Sequence, residues 1–312
     1  MAPVVRFAAT DERWDQYASP LERALVHVGL GDVDLTAEPR PPETIDYMIY
    51  APNSDVQDFT PYRRLKAVLN LWAGVEDVVG NPTLRVPLAR MVDPGLTEGM
   101  VEWVTGHVLR HHLRIDHALA HQAGAWVRHI PPLARNRPVT ILGLGALGRA
   151  CAKVLSDLNF PVTGWSRTAR HMEGIRCLAG RETLETALSG AEIVVLLLPD
   201  TPATEHVLNR QTLACLAPNA VVINPGRGPL IDDDALIAAL DTGQVGHATL
   251  DVFRIEPLPP EHPFWAHPKV TVTPHIASET RPETAAAVIA ENIRRGEAGE
   301  PFLHLVDRAV GY

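Results

Sequence analysis

Val139-Thr140-Ile141-Leu142-Gly143-Leu144-Gly145-Ala146-Leu147-Gly148-Arg149-Ala150-Cys151-Ala152-Lys153-Val154-Leu155 decides the fold. Four apolar-patterned residues are followed by glycines in the order G-x-G-x-x-G and then by a helix-forming stretch, which reads as strand, tight turn and helix. Gly143 permits the turn, Gly145 lets a pyrophosphate approach the backbone, and Gly148 allows helix and strand to pack closely. Ala146 and Leu147 open the helix, whose N-terminus then faces the phosphates. The glycine spacing alone is a weak signal of a dinucleotide site. The strand before it and the helix after it give it weight.

Outward from this segment the alternation continues. Strands are expected at 162–165, 193–198, 220–223, 248–252 and 270–272, with helices at 146–158, 182–188 and 232–240. Apolar strands without polar alternation, joined by helices, indicate a parallel sheet covered on both faces. Upstream, strands at 4–8, 47–50, 67–70 and 85–88 form a second α/β unit, with a loop at Pro39-Arg40-Pro41-Pro42 and a helix from 98 to about 115 leading out of it. A last helix at 281–295 leads back. The expected fold is α/β with two domains, Rossmann-like and flavodoxin-like, each with a parallel sheet. The dinucleotide-binding domain, 98–287, is inserted in a discontinuous substrate domain, 1–97 and 288–312.

Parallel α/β sheets bind ligands beyond their strand C-termini. Three segments lie there: Asn224-Pro225-Gly226-Arg227-Gly228, Asp251-Val252-Phe253-Arg254-Ile255-Glu256-Pro257 and Thr273-Pro274-His275-Ile276-Ala277-Ser278. They offer an arginine, a glutamate and a histidine. Arg227 suits a carboxylate and its neighbouring carbonyl, His275 can deliver a proton to a developing alkoxide, and Glu256 can keep that histidine charged and aimed. The trio fits reduction of a 2-oxo acid by a bound hydride donor. Read singly, the arginine is equally a surface ion pair, the glutamate a loop acid and the histidine a core residue.

Which dinucleotide is bound turns on Gly164-Trp165-Ser166-Arg167-Thr168-Ala169-Arg170, at the end of the next strand. An NAD site usually has an acid there for the ribose 2′-OH, and this stretch has none. Arg167, with the hydroxyls of Ser166 and Thr168, suits a 2′-phosphate. NADPH is therefore the expected cofactor, with NADH usable.

The chain has 312 residues, 46% of them hydrophobic, enough for two proper cores. A net charge of -9 argues against a nucleic-acid partner or an acidic membrane surface. Only Lys66, Lys153 and Lys269 are lysines. Cys151, Cys177 and Cys215 lack metal spacing and read as reduced core residues. The apolar run at the N-terminus is too short for a signal peptide and no run is long enough for a bilayer, so a cytoplasmic protein is expected. His107 with His111, and His117 with His121, have i, i+4 spacing but no completing acid, and read as solvated or capping residues with no metal site. Asp232-Asp233-Asp234 reads as a helix start.

The glycine fingerprint, Leu197-Leu198-Pro199-Asp200-Thr201-Pro202, Asn224 to Gly228, Leu250 to Phe253 with Glu256-Pro257-Leu258-Pro259, and Thr273 to Ala277 together resemble the D-isomer-specific 2-hydroxyacid dehydrogenases. Trp165-Ser166-Arg167, Thr280-Arg281-Pro282 and the closing Val306-Asp307-Arg308-Ala309-Val310-Gly311-Tyr312 are most similar to the glyoxylate/hydroxypyruvate reductase A branch. The resemblance is strongest over 138–295. It implies that Arg227 takes the substrate carboxylate and carbonyl oxygen, that His275 is the general acid and that Glu256 raises its pKa. It further implies that Asp251 orients the nicotinamide carboxamide, that Leu198 and Pro199 border the adenosine half, and that Pro225 and Gly226 lie at the cofactor. Pro225 departs from the family, where a small residue such as Ala is usual.

In the first domain, Asn70-Leu71-Trp72-Ala73-Gly74-Val75 matches the family loop whose N–H groups receive the substrate carboxylate, with Trp72, Ala73 and Gly74 at the substrate. The implied activity is NADPH-dependent reduction of glyoxylate to glycolate and hydroxypyruvate to D-glycerate, by a homodimer. A reductase of a bulkier 2-oxo acid of phenylpyruvate type, and a dinucleotide-sensing protein without turnover, are the alternatives.

Overall fold

The computed structural model describes residues 2–311. Met1 and Tyr312, the outermost residues of the expected substrate domain, lie outside them. The chain divides into two compact units, one running up to Leu96 and again from Glu279 onward, the other spanning Thr97–Ser278. The return thus comes at 279 and not at 288. Its reason is the helix Pro282–Ala298, whose Ala285, Ala286, Ile289, Ala290 and Ile293 share one core with Tyr17, Leu21 and Leu25 of the helix Asp11–His27. Pro282 suits its first turn and Gly299, at φ 69°, ends it.

The first unit holds β1 (Val4–Ala8), β2 (Asp34–Thr36), β3 (Tyr47–Tyr50), β4 (Ala67–Asn70) and β5 (Leu88–Ala89), in the order β2-β1-β3-β4-β5. Every pairing is parallel. Separate apolar clusters cover its two faces, one around Phe7, Ile49 and Leu69, the other around Met48, Tyr50 and Val68. β5 lies later than expected because Pro87 has no N–H for the ladder. β2 was not foreseen, being an edge strand of three residues with little apolar run to betray it.

The second unit holds β6 (Val139–Leu142), β7 (Val162–Ser166), β8 (Arg176–Ala179), β9 (Ile193–Leu196), β10 (Ala220–Asn224), β11 (Val245–Leu250) and β12 (Val270–Val272). They form one parallel sheet in the order β12-β11-β10-β9-β6-β7-β8. The chain winds outward from β6 in both directions. The switch point therefore falls between β6 and β9, beyond whose C-termini the glycine turn lies. β8 also escaped the sequence reading, since at the edge its residues need not be apolar. Cys177 sits on it half-buried, as does Cys215 elsewhere, so only Cys151 is a core thiol.

The helix Pro94–His112 begins earlier than expected, because Asp93 Oδ1 accepts the Leu96 N–H at 2.6 Å and caps it. It stops at His112, and Arg114 at φ 55° separates it from the short helix Ile115–Ala120. Asp232 opens Asp233–Thr242 by accepting the Ala235 N–H at 3.0 Å.

Candidate active site

β6 delivers the glycine turn. Gly143 has φ 109°, and a Cβ there would collide with the Leu197 carbonyl; one on Gly148 would collide with the Gly143 carbonyl. A Cβ on Gly145 would meet nothing. Two glycines thus close the turn while the third faces open space, which is what a backbone approached by a pyrophosphate requires. Ala146 and Leu147 begin the helix Ala146–Asp157, whose N-terminus supplies unsatisfied N–H groups to that space.

At the end of β7, Trp165 donates its indole N–H to the Gly180 carbonyl at 3.0 Å. Ser166 is buried, and its hydroxyl donates to the Thr168 carbonyl at 2.8 Å, so it shapes the turn. Arg167, Thr168 and Arg170 are exposed on that turn. No carboxylate occupies positions 164–170. Beyond β9, Leu198 is buried and the Pro199 carbonyl accepts the Thr204 hydroxyl at 2.7 Å.

β10 ends in Asn224, which is buried and clamps the next turn. Its Oδ1 accepts the Gly226 N–H at 3.1 Å and its Nδ2 donates to the Arg227 carbonyl at 2.9 Å. Pro225 and Gly226 are buried and Arg227 is half-buried. Arg227 Nη1 donates to the Gly226 carbonyl at 2.7 Å. A Cβ on Gly228 would strike the main chain of Phe253, so this turn and the one carrying Glu256 lie against each other.

His275 Nδ1 and Glu256 Oε2 are 2.7 Å apart, while Glu256 Oε1 accepts the Phe253 N–H at 2.8 Å. Both oxygens of the glutamate are therefore engaged. The hydrogen bond that His275 donates to Glu256 raises the His275 pKa above the usual imidazole value; burial opposes this, and the charge of Glu256 adds to it. For Glu256, burial pushes upward, yet the bonds from His275 and the Phe253 N–H prevail and hold it below the ordinary carboxyl value. Arg227 is near enough for its charge to lower both. With half of its side-chain surface exposed, His275 can reach a reactant through its free Nε2 edge.

Asp251 lies at the end of β11 with no exposed surface. Its Oδ1 accepts the Thr273 hydroxyl and the Ile276 N–H at 2.9 Å, its Oδ2 accepts the Ala277 N–H at 2.8 Å, and its carbonyl accepts the His275 N–H at 2.8 Å. His275 has φ 54°, unusual for a residue with a side chain, and this network fixes it there. Thr273 and Asn224 were not singled out in the sequence; each is a polar residue closing an apolar strand, which was the available signal.

Trp72, Ala73 and Gly74 belong to the first unit, on the loop after β4, where Trp72 is exposed and the other two are half-buried. Arg227, Glu256 and His275 are brought together in the second.

Of the helical histidines, His111 differs from expectation, whereas His121 is the C-cap residue of the helix Ile115–Ala120. His111 is buried, with Nε2 2.9 Å from Thr249 Oγ1 and its ring 4.8 Å from that of His247. It is neither solvated nor a cap, because the helix Pro94–His112 turns that face onto the sheet. His121 Nδ1 donates to the His117 carbonyl at 2.7 Å. Among the described residues no group of three or more His, Cys, Asp or Glu is placed to hold a metal ion, and no helix is long and apolar enough to cross a membrane.

Comparison with known proteins shows the family. Residues 105–277 match the profile of the D-isomer specific 2-hydroxyacid dehydrogenase, NAD binding domain. Glyoxylate/hydroxypyruvate reductase A of Serratia proteamaculans is 42% identical over 257 residues, covering 80% of this chain and 82% of that protein. A D-isomer specific 2-hydroxyacid dehydrogenase from Xanthobacter autotrophicus Py2, solved in complex with NADPH and MES, superposes with a TM-score of 0.93 at 42% identity, over 100% of both chains. The NADPH-dependent glyoxylate/hydroxypyruvate reductase of Sinorhizobium meliloti, solved with NADP and sulfate, gives 0.86 at 35% identity, again over 100% of each. The chain belongs to the D-isomer-specific 2-hydroxyacid dehydrogenase family and is an NAD(P)-dependent oxidoreductase.

Proposed function

We propose that the enzyme reduces small 2-oxo acids, glyoxylate to glycolate and hydroxypyruvate to D-glycerate, with NADPH. The observation that carries this reading is the 2.7 Å contact between His275 Nδ1 and Glu256 Oε2, in a cluster that includes Arg227. The relatives named for these substrates and the two solved with NADPH or NADP support it.

A bound NADPH would supply the hydride that reduces the carbonyl carbon. Arg227 holds the carboxylate and draws charge onto the carbonyl oxygen. His275 gives its Nε2 proton to the oxygen as that carbon is reduced, and Glu256 keeps the imidazolium oriented through Nδ1. Gly143, Gly145, Ala146, Leu147 and Gly148 would hold the pyrophosphate, and Arg167 with Thr168 would hold the 2′-phosphate. Leu198 and Pro199 would border the adenosine, and Pro225 and Gly226 would meet the nicotinamide end. Trp72, Ala73 and Gly74 receive the substrate, their N–H groups facing its carboxylate.

The same reading includes a homodimer and a cytoplasmic setting. Leu119, Trp126, Val127, Ile130 and Leu133 are exposed after the helix Pro94–His112, apolar surface suited to a second copy. Three free cysteines suit a reducing compartment.

Following NADPH oxidation across a panel of 2-oxo acids tests the function. Turnover fastest with glyoxylate and hydroxypyruvate is expected, and a fall of roughly 10²- to 10⁴-fold in His275→Ala with NADPH affinity retained. A preference for phenylpyruvate would move the assignment to bulkier acids, and no oxidation with any acid would end it.

A further inference from the structure

Asn70 closes β4 as Asn224 closes β10, and only 1% of it is exposed. Its Nδ2 donates to two carbonyls of the following loop, Trp72 at 2.9 Å and Gly74 at 2.8 Å. The Leu71 carbonyl accepts the Thr280 hydroxyl at 3.1 Å, and the Trp72 carbonyl also accepts the Met91 N–H at 3.0 Å. Three of the four carbonyls from 71 to 74 are thereby engaged by the body of the unit. The N–H groups follow the opposite pattern. Leu71 donates to Tyr50, whereas among the described residues no acceptor engages the N–H of Trp72, Ala73 or Gly74.

The remaining atom of the amide points the same way. Asn70 Oδ1 is buried and has no hydrogen-bond partner. An unmet buried acceptor is unfavourable, and an apolar side chain would avoid it. What an apolar residue lacks is the pair of donors on one planar nitrogen that reaches two carbonyls at once. With those oxygens tied down, the loop offers donors and few acceptors to a ligand, which suits an anion.

We propose that Asn70 is a positioning residue for substrate recognition: by binding the carbonyls of Trp72 and Gly74, with Thr280 taking that of Leu71, it makes the 72–74 loop selective for the carboxylate of the 2-oxo acid. The inference rests on the reading of the chain as a 2-oxo acid reductase. Thr280, in the Thr280-Arg281-Pro282 segment, thereby gains a function that no step of the reaction gave it.

Asn70→Asp in the full-length enzyme replaces two donors by acceptors at nearly constant shape. KM and kcat are measured for glyoxylate and for its methyl ester, alongside the KM for NADPH and the melting temperature. The expected result is a rise of about tenfold or more in the KM for glyoxylate, a similar fall in the preference for acid over ester, a small change in kcat and an unchanged KM for NADPH. Thr280→Val moves the same ratio in the same direction by a few-fold. An unchanged acid-to-ester preference in Asn70→Asp overturns the proposal, as does a loss of melting temperature with that preference intact. If the aspartate variant does not fold, Asn70→Ser, which leaves one donor, and Thr280→Val decide by the same ratio. Wild-type enzyme that turns over no 2-oxo acid overturns the functional reading itself, and the role of Asn70 with it.

Discussion

The N–H of His275 donates to the carbonyl of Asp251 at 2.8 Å, and the carboxylate of the same aspartate takes the N–H groups of Ile276 and Ala277 that follow. The proposed proton donor is thus held from behind by a residue with no exposed surface. Asp251→Ala leaves the Thr273 hydroxyl and two backbone N–H groups without an acceptor, a cost of about 1–3 kcal/mol each where they remain buried. Displacement of His275 should lower kcat by roughly 10²-fold. Thermal unfolding and steady-state kinetics on one preparation check both effects, and a variant with normal kcat would show that the loop holds without its anchor.

The His275–Glu256 contact fixes the pH dependence. In the proposed reaction reduction needs protonated His275, whose pKa lies above the usual value, so activity should persist below that raised pKa and fall as pH rises through it. Glu256→Gln removes the charge that raises it. The alkaline limb of kcat/KM for reduction should then move to lower pH, while the oxidation of the 2-hydroxy acid, which needs neutral His275, should gain at low pH. Profiles in both directions that coincide with wild type would detach Glu256 from the titration.

Arg167 stands exposed on the turn after β7, where positions 164–170 carry no acid. A charge-assisted contact to a 2′-phosphate contributes about 1.5–3 kcal/mol, so Arg167→Ala should raise the KM for NADPH by roughly tenfold or more and leave that for NADH nearly constant. The ratio of kcat/KM for the two cofactors is the measurement. An undiminished preference for NADPH would assign the discrimination elsewhere on the turn.

His111 and His247 predict the acid response of the second unit. Burial pushes the His111 pKa down to about 3 and that of His247 down to about 4. Between those values and the ordinary imidazole pKa the unfolded chain binds protons that the folded chain does not, so stability falls as pH drops below about 6.5 and levels off near the folded values. Each histidine contributes up to about 1.4 kcal/mol per pH unit in that window. Denaturant titrations from pH 7 to 5 should show a shallower slope for His111→Gln than for wild type.

The sequence determined whatever depends on neighbours along the chain. Apolar runs set β6, β9 and β10, the glycines between a strand and a helix set the turn, and an arginine, a glutamate and a histidine at successive strand ends marked Arg227, Glu256 and His275 as candidates, because together they suit reduction of a 2-oxo acid. Edge strands β2 and β8 stayed hidden, since a strand covered on fewer sides need not be apolar. Tertiary structure decided which distant groups meet. Sheet register sets Thr249 opposite Thr271 and Asn224 opposite Leu250. That brings the strand ends level and places His111 against Thr249, 138 positions away. The engagement of the Asp251 carboxylate and the orphaned Oδ1 of Asn70 likewise emerge only after packing. A hydrogen bond requires two atoms within about 3 Å in the right direction, and such closeness between remote residues is a property of the packed sheet and not of local spacing.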